Sequence, residues 1–388
     1  LLIENIHIRG VRSLRDLSLD FAPNINLITG PNGQGKTSIL ESLWLICTLR
    51  SFRTHKLQEL ISTDEKKATV SAKLSYPELF TRNNEVQLEL GHHSKLKKSA
   101  FLNQKIVSKR SQFVHLNLGT ESYGQPCVVF HPADHRLIDG EPALRRNYLD
   151  QMLFQLEPEY ATRYLRYQRA LNQRNALFRG EKTPLTKAQA AGFLELLIED
   201  GAHLLTHRKN WEKRLIPAVC QNLSQTLGMP ADLKIEWKYS IAKDAQNRAI
   251  FDRLNDSNDV ESMRSFWKEK QSEISEIEWD LKSTLLGPHR DDFSISFNER
   301  PLREMGSQGE KRTVILGMKL GEVSLFMSQN HSQKPVLLVD DFSSELDQEK
   351  RTKFLEYMQE SSLQVFITGT EAILGVGHSI RLNRGKAW

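Results

Sequence analysis

Leu17, Leu19 and Phe21 alternate with polar residues, the period of a half-buried strand, and the N-terminal region as a whole reads as strands. Ile25 to Thr29 is a short apolar run that feeds a glycine-rich turn. From Lys36 onward the spacing of Ile39, Leu40, Leu43, Trp44 and Ile46 becomes helical. Further strand-like pieces follow at Ala68–Ser75, Glu85–Gly91 and Pro126–Phe130. From about Ala133 to about Leu285 the texture is mostly helical and rich in Leu, Arg, Gln and Glu, with Pro158–Phe178 and Ala188–Leu215 as examples; Asn255–Asp259 reads as a polar loop. Strand signals return at Phe293–Phe297, Val336–Asp340 and Leu363–Thr368. The alternation predicts an α/β domain built from both ends of the chain, residues 1–130 with 285–388, carrying a mostly helical insertion over 131–284.

Composition narrows the class without naming a function. Among 388 residues, 39% are apolar and 26% charged, the balance of a globular chain. The net charge of +5 permits a nucleic-acid partner and does not require one. Cys47, Cys127 and Cys220 are far apart and include no CxxC pair, so neither a disulfide framework nor a cysteine-built zinc site is expected, and the reading is a reducing cytoplasm. No apolar run approaches a membrane span, and the opening LLIENIHIRG, with Glu4 and Arg9, does not read as a signal peptide.

The glycine-rich turn carries the sharpest chemistry. GPNGQGKT, comprising Gly30, Pro31, Asn32, Gly33, Gln34, Gly35, Lys36 and Thr37, matches GxxxxGK[ST] and sits after a strand and before a helix, as that motif must. Its glycines let backbone N–H groups curl around phosphate oxygens, and the helix that follows points its positive end at the anion. Lys36 is expected to neutralise the β- and γ-phosphates of ATP, and Thr37 to place its hydroxyl on Mg²⁺.

Two further segments fit this chemistry. PVLLVDD, Pro335 to Asp341, is an apolar strand without alternation that ends in two carboxylates. Asp340 is expected to hold Mg²⁺, and Asp341 to position or deprotonate the attacking water. MGSQGEKR, Met305 to Arg312, precedes a helical run; Ser307 with Glu310 is a capping box that would stabilise any helix start by roughly 1 kcal/mol. The same geometry with Gln308 and Gly309 would also serve as an anion site facing a second subunit's nucleotide. Taken alone, these residues leave both readings open.

Together the segments resemble the RecF family, bacterial recombination mediators with an ABC/SMC-type ATPase head. The resemblance runs over essentially the whole chain. It rests on GPNGQGKT, on RSFRT at Arg50–Thr54, on Val128–Asp150, on GPHRDDF at Gly287–Phe293, on GSQGEKR at Gly306–Arg312, on LLVDDFSSELD at Leu337–Asp347 and on QVFITGT at Gln364–Thr370. It implies that Ser307, Gln308 and Gly309 form a signature reaching a partner's ATP, with Ser344 to Asp347 as a D-loop across an ATP-dependent homodimer. It also implies double-stranded DNA and single-strand/double-strand junctions as partners, with no membrane. It implies as well a role in gap repair and the SOS response beside RecR, RecO and RecA. The chain departs from ABC-type patterns in three places: Asp341 stands where transporter heads have Glu, Glu310 where many relatives have Gln, and Thr368 or Thr370 near the usual switch His.

Basic clusters bear on DNA. Arg163, Arg166, Arg169 and Arg174 recur along one predicted helix, and Lys95, Lys97, Lys98, Lys105, Lys109 and Arg110 crowd an earlier strand region. Each reads as a solvated charged face when taken alone, and beside a RecF-like head as part of a salt-sensitive groove for phosphates. Arg50 and Arg53 read either as closing a helix C-terminus against its dipole or as facing the triphosphate or DNA, with the second reading preferred. The leading expectation is an ATP-gated DNA clamp with weak ATPase activity. A nucleotide-switched SMC-like scaffold with negligible hydrolysis is the alternative. A transporter-type subunit is disfavoured by the long stretch between Lys36 and Ser307, and GPHRDD has no assigned role.

Overall fold

The structure, a computed structural model, describes residues 2–387 apart from 55, 76–83, 93–95, 108–125, 181–186, 227, 229–231, 255–258, 330–333, 346–347, 372–376 and 384–385. In chain order the elements are β1 (Leu2–Val11), β2 (Leu14–Asp20), β3 (Ile25–Thr29), α1 (Lys36–Thr48), β4 (Lys67–Ser75), β5 (Asn84–His92), β6 (Leu96–Leu102), β7 (Lys105–Val107) and β8 (Cys127–Phe130). Next come α2 (Pro142–Leu156), α3 (Pro158–Phe178), α4 (Lys187–Gln225), β9 (Leu233–Lys238), α5 (Ala245–Leu254), α6 (Val260–Leu281), β10 (Asp292–Phe297) and β11 (Arg300–Pro301). The chain continues through α7 (Gln308–Gln329), β12 (Val336–Val339), α8 (Gln348–Glu360), β13 (Val365–Gly369), β14 (His378–Asn383) and β15 (Lys386–Ala387). Two compact units result: Leu1–His135 with Ala218–Ala231 and Ser307–Trp388, and Arg136–Pro217 with Asp232–Gly306.

The first unit holds two sheets. One is antiparallel in the order β2-β1-β4-β5-β6-β7; the other runs β15-β14-β3-β13-β12-β8, with parallel pairing everywhere except β14 with β15. In β1 a register shift between Ile3 and Asn5 inserts one residue, so Ile3, Ile6 and Ile8 all face inward although their spacing is uneven. β3, β8, β12 and β13 are buried at every position, as expected for parallel strands covered on both faces. α1 lies against β1, β4 and β5 on one side and β8 and β13 on the other. Leu40, Leu43, Trp44 and Ile46 join one core with residues of both sheets. Gln364 stitches the sheets together: its amide nitrogen donates to Ile3 O and its amide oxygen accepts Ile3 N–H, each at 2.8 Å.

Pro217 lies inside α4, where the chain passes from the second unit to the first. Beyond it, Val219 and Leu223 pack on two glycines of α7. A Cβ on Gly321 would sit 2.8 Å from Val219 and one on Gly317 would sit 2.6 Å from Leu223. That close approach is why Ala218–Ala231, which the helical texture alone assigns to the insertion, packs with the first unit.

The second unit combines α2, α3, α4 up to Pro217, α5 and α6 with a three-stranded sheet, β11-β10-β9. Pro142 and Pro158 open α2 and α3, where the missing N–H has no intrahelical partner to lose. Asp259 caps α6 by accepting the N–H groups of Glu261 and Ser262 at 3.0 and 3.3 Å. The rest of the expected polar loop, 255–258, lies outside the described residues.

Candidate functional site

The turn between β3 and α1 owes its shape to glycine. Gly35 caps α1 with φ 95°, and a Cβ there would lie 2.6 Å from the Leu14 side chain. Gly30 passes so close to β14 that a Cβ would meet Leu382 O at 2.3 Å. Over Gly33, by contrast, the space is open. Pro31, Asn32 and Gly33 are exposed, Gln34 is half-buried and Lys36 is buried. The Lys36 ammonium arches back over the loop and donates to Gly30 O at 2.6 Å and Pro31 O at 2.9 Å. Burial pushes its pKa down, while the charges of Asp341 and Asp340 oppose that shift.

Asp340 and Asp341 follow β12 and reach the same turn. The Thr37 hydroxyl lies 3.0 Å from each carboxylate oxygen of Asp340, a meeting of residues 303 positions apart. Asp340 N–H is anchored to Phe130 O of β8 at 2.8 Å. Thr368, at the end of β13, donates from its hydroxyl to Asp340 Oδ1 at 2.7 Å and accepts Asp341 N–H at 2.9 Å. Asp341 itself takes φ 54°, a left-handed conformation uncommon for a residue with a Cβ and one that clusters at functional sites. The parallel sheet thus delivers Thr37, Asp340, Asp341 and Thr368 to its carboxyl edge, where open α/β sheets bind ligands.

The signature residues stand apart. Ser307, Gln308 and Gly309 are exposed at the start of α7. The capping box is formed: Ser307 N–H donates to Glu310 at 2.8 Å and Glu310 N–H to Ser307 Oγ at 3.2 Å. Thr313 donates to Gly309 O at 2.7 Å, so these hydrogen bonds stay within the helix and do not reach the P-loop. Of the expected D-loop, Leu346 and Asp347 lie outside the described residues, as do the side chains of Ser344 and Glu345.

Two residues close to the site were not singled out from the sequence. His131, just past β8, stacks on Phe52 with ring centroids 5.0 Å apart and sits 3.4 Å from Asp134. Burial pushes its pKa down, and Asp340 is among the charges it senses. Glu41 of α1 is fully buried and is gripped by Arg12 at 2.7 and 3.1 Å and by the Ser51 hydroxyl. Arg53 also has a partner here, its guanidinium lying 3.6 Å from Glu41. An acid at a helix position otherwise surrounded by apolar residues was the available signal for Glu41; for His131 the motif offered none.

With this geometry in hand, comparison with known proteins is informative. A family model described as "RecF/RecN/SMC N terminal domain" matches residues 2–374. The DNA replication and repair protein RecF of Bacillus mycoides (strain KBAB4) is 31% identical, with 97% of this chain and 93% of that protein covered. The RecF of Bacillus cytotoxicus is 30% identical with the same coverage. The chain belongs to the RecF family. A solved structure described as the recombination mediator protein RecF-ATPrS in the RecFOR pathway matches with a TM-score of 0.83 at 26% identity, covering 100% of this chain and 97% of that one. An SMC head bound to the C-winged helix domain of ScpA matches with a TM-score of 0.53 at 16% identity, which bears on fold alone. The fold of this RecF-family chain is the ABC/SMC-type P-loop head with an inserted, mostly helical lobe.

The arginines expected to line a DNA groove on α3 are largely engaged within the second unit. Arg163 contacts Glu159, Glu199 and Asp200, and Arg166 contacts Asp200 at 3.1 Å. Arg174 is buried, pairs with Glu278 at 2.7 Å and donates to Thr284 at 2.8 Å. Periodicity marked a charged face but could not show that acids from α4 and α6 would cover it. Arg169 is exposed, as is Lys105. Lys95, Lys109 and Arg110 lie outside the described residues, as do the side chains of Lys97 and Lys98.

GPHRDD acquires a physical role as the hub of the second unit. Gly287, at φ 124°, lets Tyr167 and Trp267 approach within 2.4 and 2.7 Å of where a Cβ would be. The buried Arg208 donates to Pro288 O at 2.7 Å and pairs with Asp291 at 3.3 Å and Asp150 at 2.7 Å. Arg145 grips Asp292 through two hydrogen bonds, and Asp291 accepts Ser240 N–H at 2.9 Å. Both ring nitrogens of His289 are engaged, with Tyr167 at 2.6 Å and Thr284 O at 3.1 Å, and burial pushes its pKa down to about 4. His289 is therefore a neutral packing residue rather than a metal ligand.

Proposed function

We propose that this chain is an ATP-dependent DNA-binding clamp of the RecF type, acting in DNA replication and repair, and that ATP drives two copies together. The observation that carries the reading is the convergence of Thr37 and Lys36 with Asp340 and Asp341 at the sheet's carboxyl edge. Relatives described as DNA replication and repair proteins, and a similar structure described with an ATP analogue, support it.

The donor set fits Mg·ATP. Thr37 and Asp340 offer hard oxygens side by side, the kind of ligand Mg²⁺ shares with phosphate and water. When bound, Mg²⁺ supplies charge neutralisation at the β- and γ-phosphate oxygens. Lys36 exchanges its carbonyl partners for phosphate oxygens, and the N–H groups of Gly33 to Thr37 cradle the anion. Asp341 orients the attacking water and accepts its proton as the γ-phosphoryl bond to ADP breaks. Ser307, Gln308 and Gly309 close on the partner's γ-phosphate, so hydrolysis opens the clamp. Asp in place of Glu at position 341 keeps turnover slow, as suits a switch. Family resemblance extends the proposal to single-strand/double-strand junctions and to action beside RecR, RecO and RecA.

Light scattering of the chain with ATP, ADP or no nucleotide tests the reading. A dimer is expected with ATP alone. Lys36→Ala and Ser307→Arg are expected to stay monomeric, and an ATP-driven dimer in both variants would overturn it.

A further inference from the structure

The second unit contains a cleft of about 230 Å³ between α2, α3, α4 and the GPHRDD turn. It has no part in the chemistry proposed above. Its floor is polar and fully committed: Arg208 to Asp150, Asp291, Tyr160 and Pro288 O, and Tyr167 to His289. Its rim differs. Arg146, Asn147 and Gln168 are half-buried side chains that line the cleft.

Arg146 differs from two neighbouring arginines of this hub. Arg145 and Arg208 each hold carboxylates, whereas Arg146 donates from Nη1 to the backbone oxygen of Asp291 at 2.7 Å and forms no ion pair among the described residues. Partial desolvation, reinforced by the charge of Arg208, pushes its pKa down, while the charges of Asp291, Asp292 and Asp150 oppose that shift. Asn147, one position on, and Gln168, on the facing helix, make no side-chain hydrogen bond among the described residues. The wall also carries the Tyr164 ring, itself packed edge-on against Phe154 with centroids 4.9 Å apart. Asp150 is the one carboxylate on the wall, and Arg208 and Tyr160 already occupy it.

We propose that this cleft is a binding site for a phosphate monoester, whose terminal oxygens are taken by Arg146, Asn147 and Gln168 and whose organic part lies along Tyr164. A guanidinium and two amides around one space suit a tetrahedral dianion with three terminal oxygens. The volume exceeds what a bare phosphate needs, and the ring supplies a face for an attached group. The same chemistry could be offered by a free nucleotide or by the phosphorylated end of a nucleic-acid strand.

Calorimetric titration of the full chain carrying Lys36→Ala, which weakens the P-loop, tests this. The probes are AMP, adenosine, and a short single-stranded oligonucleotide with either a 5′-phosphate or a 5′-hydroxyl. One saturable site per chain for AMP and none for adenosine is expected. Arg146→Ala should weaken AMP by at least about tenfold, the loss of a charge-assisted hydrogen bond. Asn147→Asp, which keeps the side-chain size and adds repulsion, should do the same if Arg146→Ala folds poorly. A phosphorylated oligonucleotide that binds more tightly than AMP and its 5′-hydroxyl counterpart identifies a strand end as the source; equal or weaker binding identifies the free nucleotide. Absence of saturable AMP binding, or AMP binding unchanged in Asn147→Asp and in a folded Arg146→Ala, would overturn the proposal.

Discussion

Thr368 illustrates how one hydroxyl can fix two acids. Its proton goes to Asp340 Oδ1 and its lone pair receives Asp341 N–H, so it sets the rotamer of the first acid and the backbone of the second. That backbone sits at φ 54°, where a non-glycine residue is held only by its surroundings. Thr368→Val keeps the shape and removes both bonds. Steady-state hydrolysis of Mg·ATP is expected to show kcat reduced by about tenfold or more, with KM for ATP nearly unchanged, as for a group that orients the reacting residues. Thr368→Ser should restore most of it. A fall in kcat that the serine variant shares would mean that packing, not the hydroxyl, matters. In the sequence, Thr368 was visible only as a residue near a usual switch histidine. Nothing local reveals that its hydroxyl turns back to β12, because that contact depends on the parallel pairing of β12 with β13.

At the scale of elements, α7 buries a carboxylate. Glu322 is almost fully enclosed, and burial raises its pKa to about 7, against the attraction of Lys319 and with the repulsion of Asp134. A folded-state pKa above the ordinary 4.5 gives a contribution that is complete below that value and is lost as pH rises towards 7. Glu322→Gln should match the parent near pH 4.5 and exceed it above pH 7, by up to about 3 kcal/mol. Urea unfolding at several pH values measures this, and a constant difference between the two chains would refute the assignment. Many elements were legible in the sequence: β3 and β12 as continuous apolar runs, α1 as a helical apolar spacing and α3 as part of a helical texture rich in Leu, Arg, Gln and Glu. β9 was not, although Leu233, Ile235 and Trp237 alternate cleanly, because it is a six-residue strand amid a long helical texture. β14 also went unread; its buried Ile380 and Leu382 are too few to stand out from a polar tail. The P-loop and acidic pair were readable because each is contiguous. That both would serve one Mg·ATP site was also expected; what the sequence did not show is the direct hydrogen bond from Thr37 to Asp340, 303 positions away.

For the whole molecule, the question is which positive charges remain available to DNA. A net charge of +5 is small, so a DNA-binding surface has to come from clustering rather than from excess. Arg163 and Arg166 share Asp200, whose side chain is almost fully buried between them, and removing either leaves that acid partly unpaired. Arg174 and Glu278 are both buried, so Arg174→Ala should destabilise the chain by about 3 kcal/mol, the usual cost of stranding one partner of such a pair. That loss would be read as a lower midpoint in urea. Binding to duplex DNA should respond differently. If Arg163 and Arg166 contacted phosphates, removing both would flatten the dependence of log affinity on log salt by about 0.9 per contact. Because both already pair with acids of the second unit, the slope for the Arg163→Ala, Arg166→Ala chain is expected to equal the parent's at every salt concentration. Arg169, exposed on the same helix, is the residue whose replacement should lower the slope by about one contact if α3 faces DNA at all. A slope reduced in the double variant and unchanged in Arg169→Ala would reverse this assignment of charges.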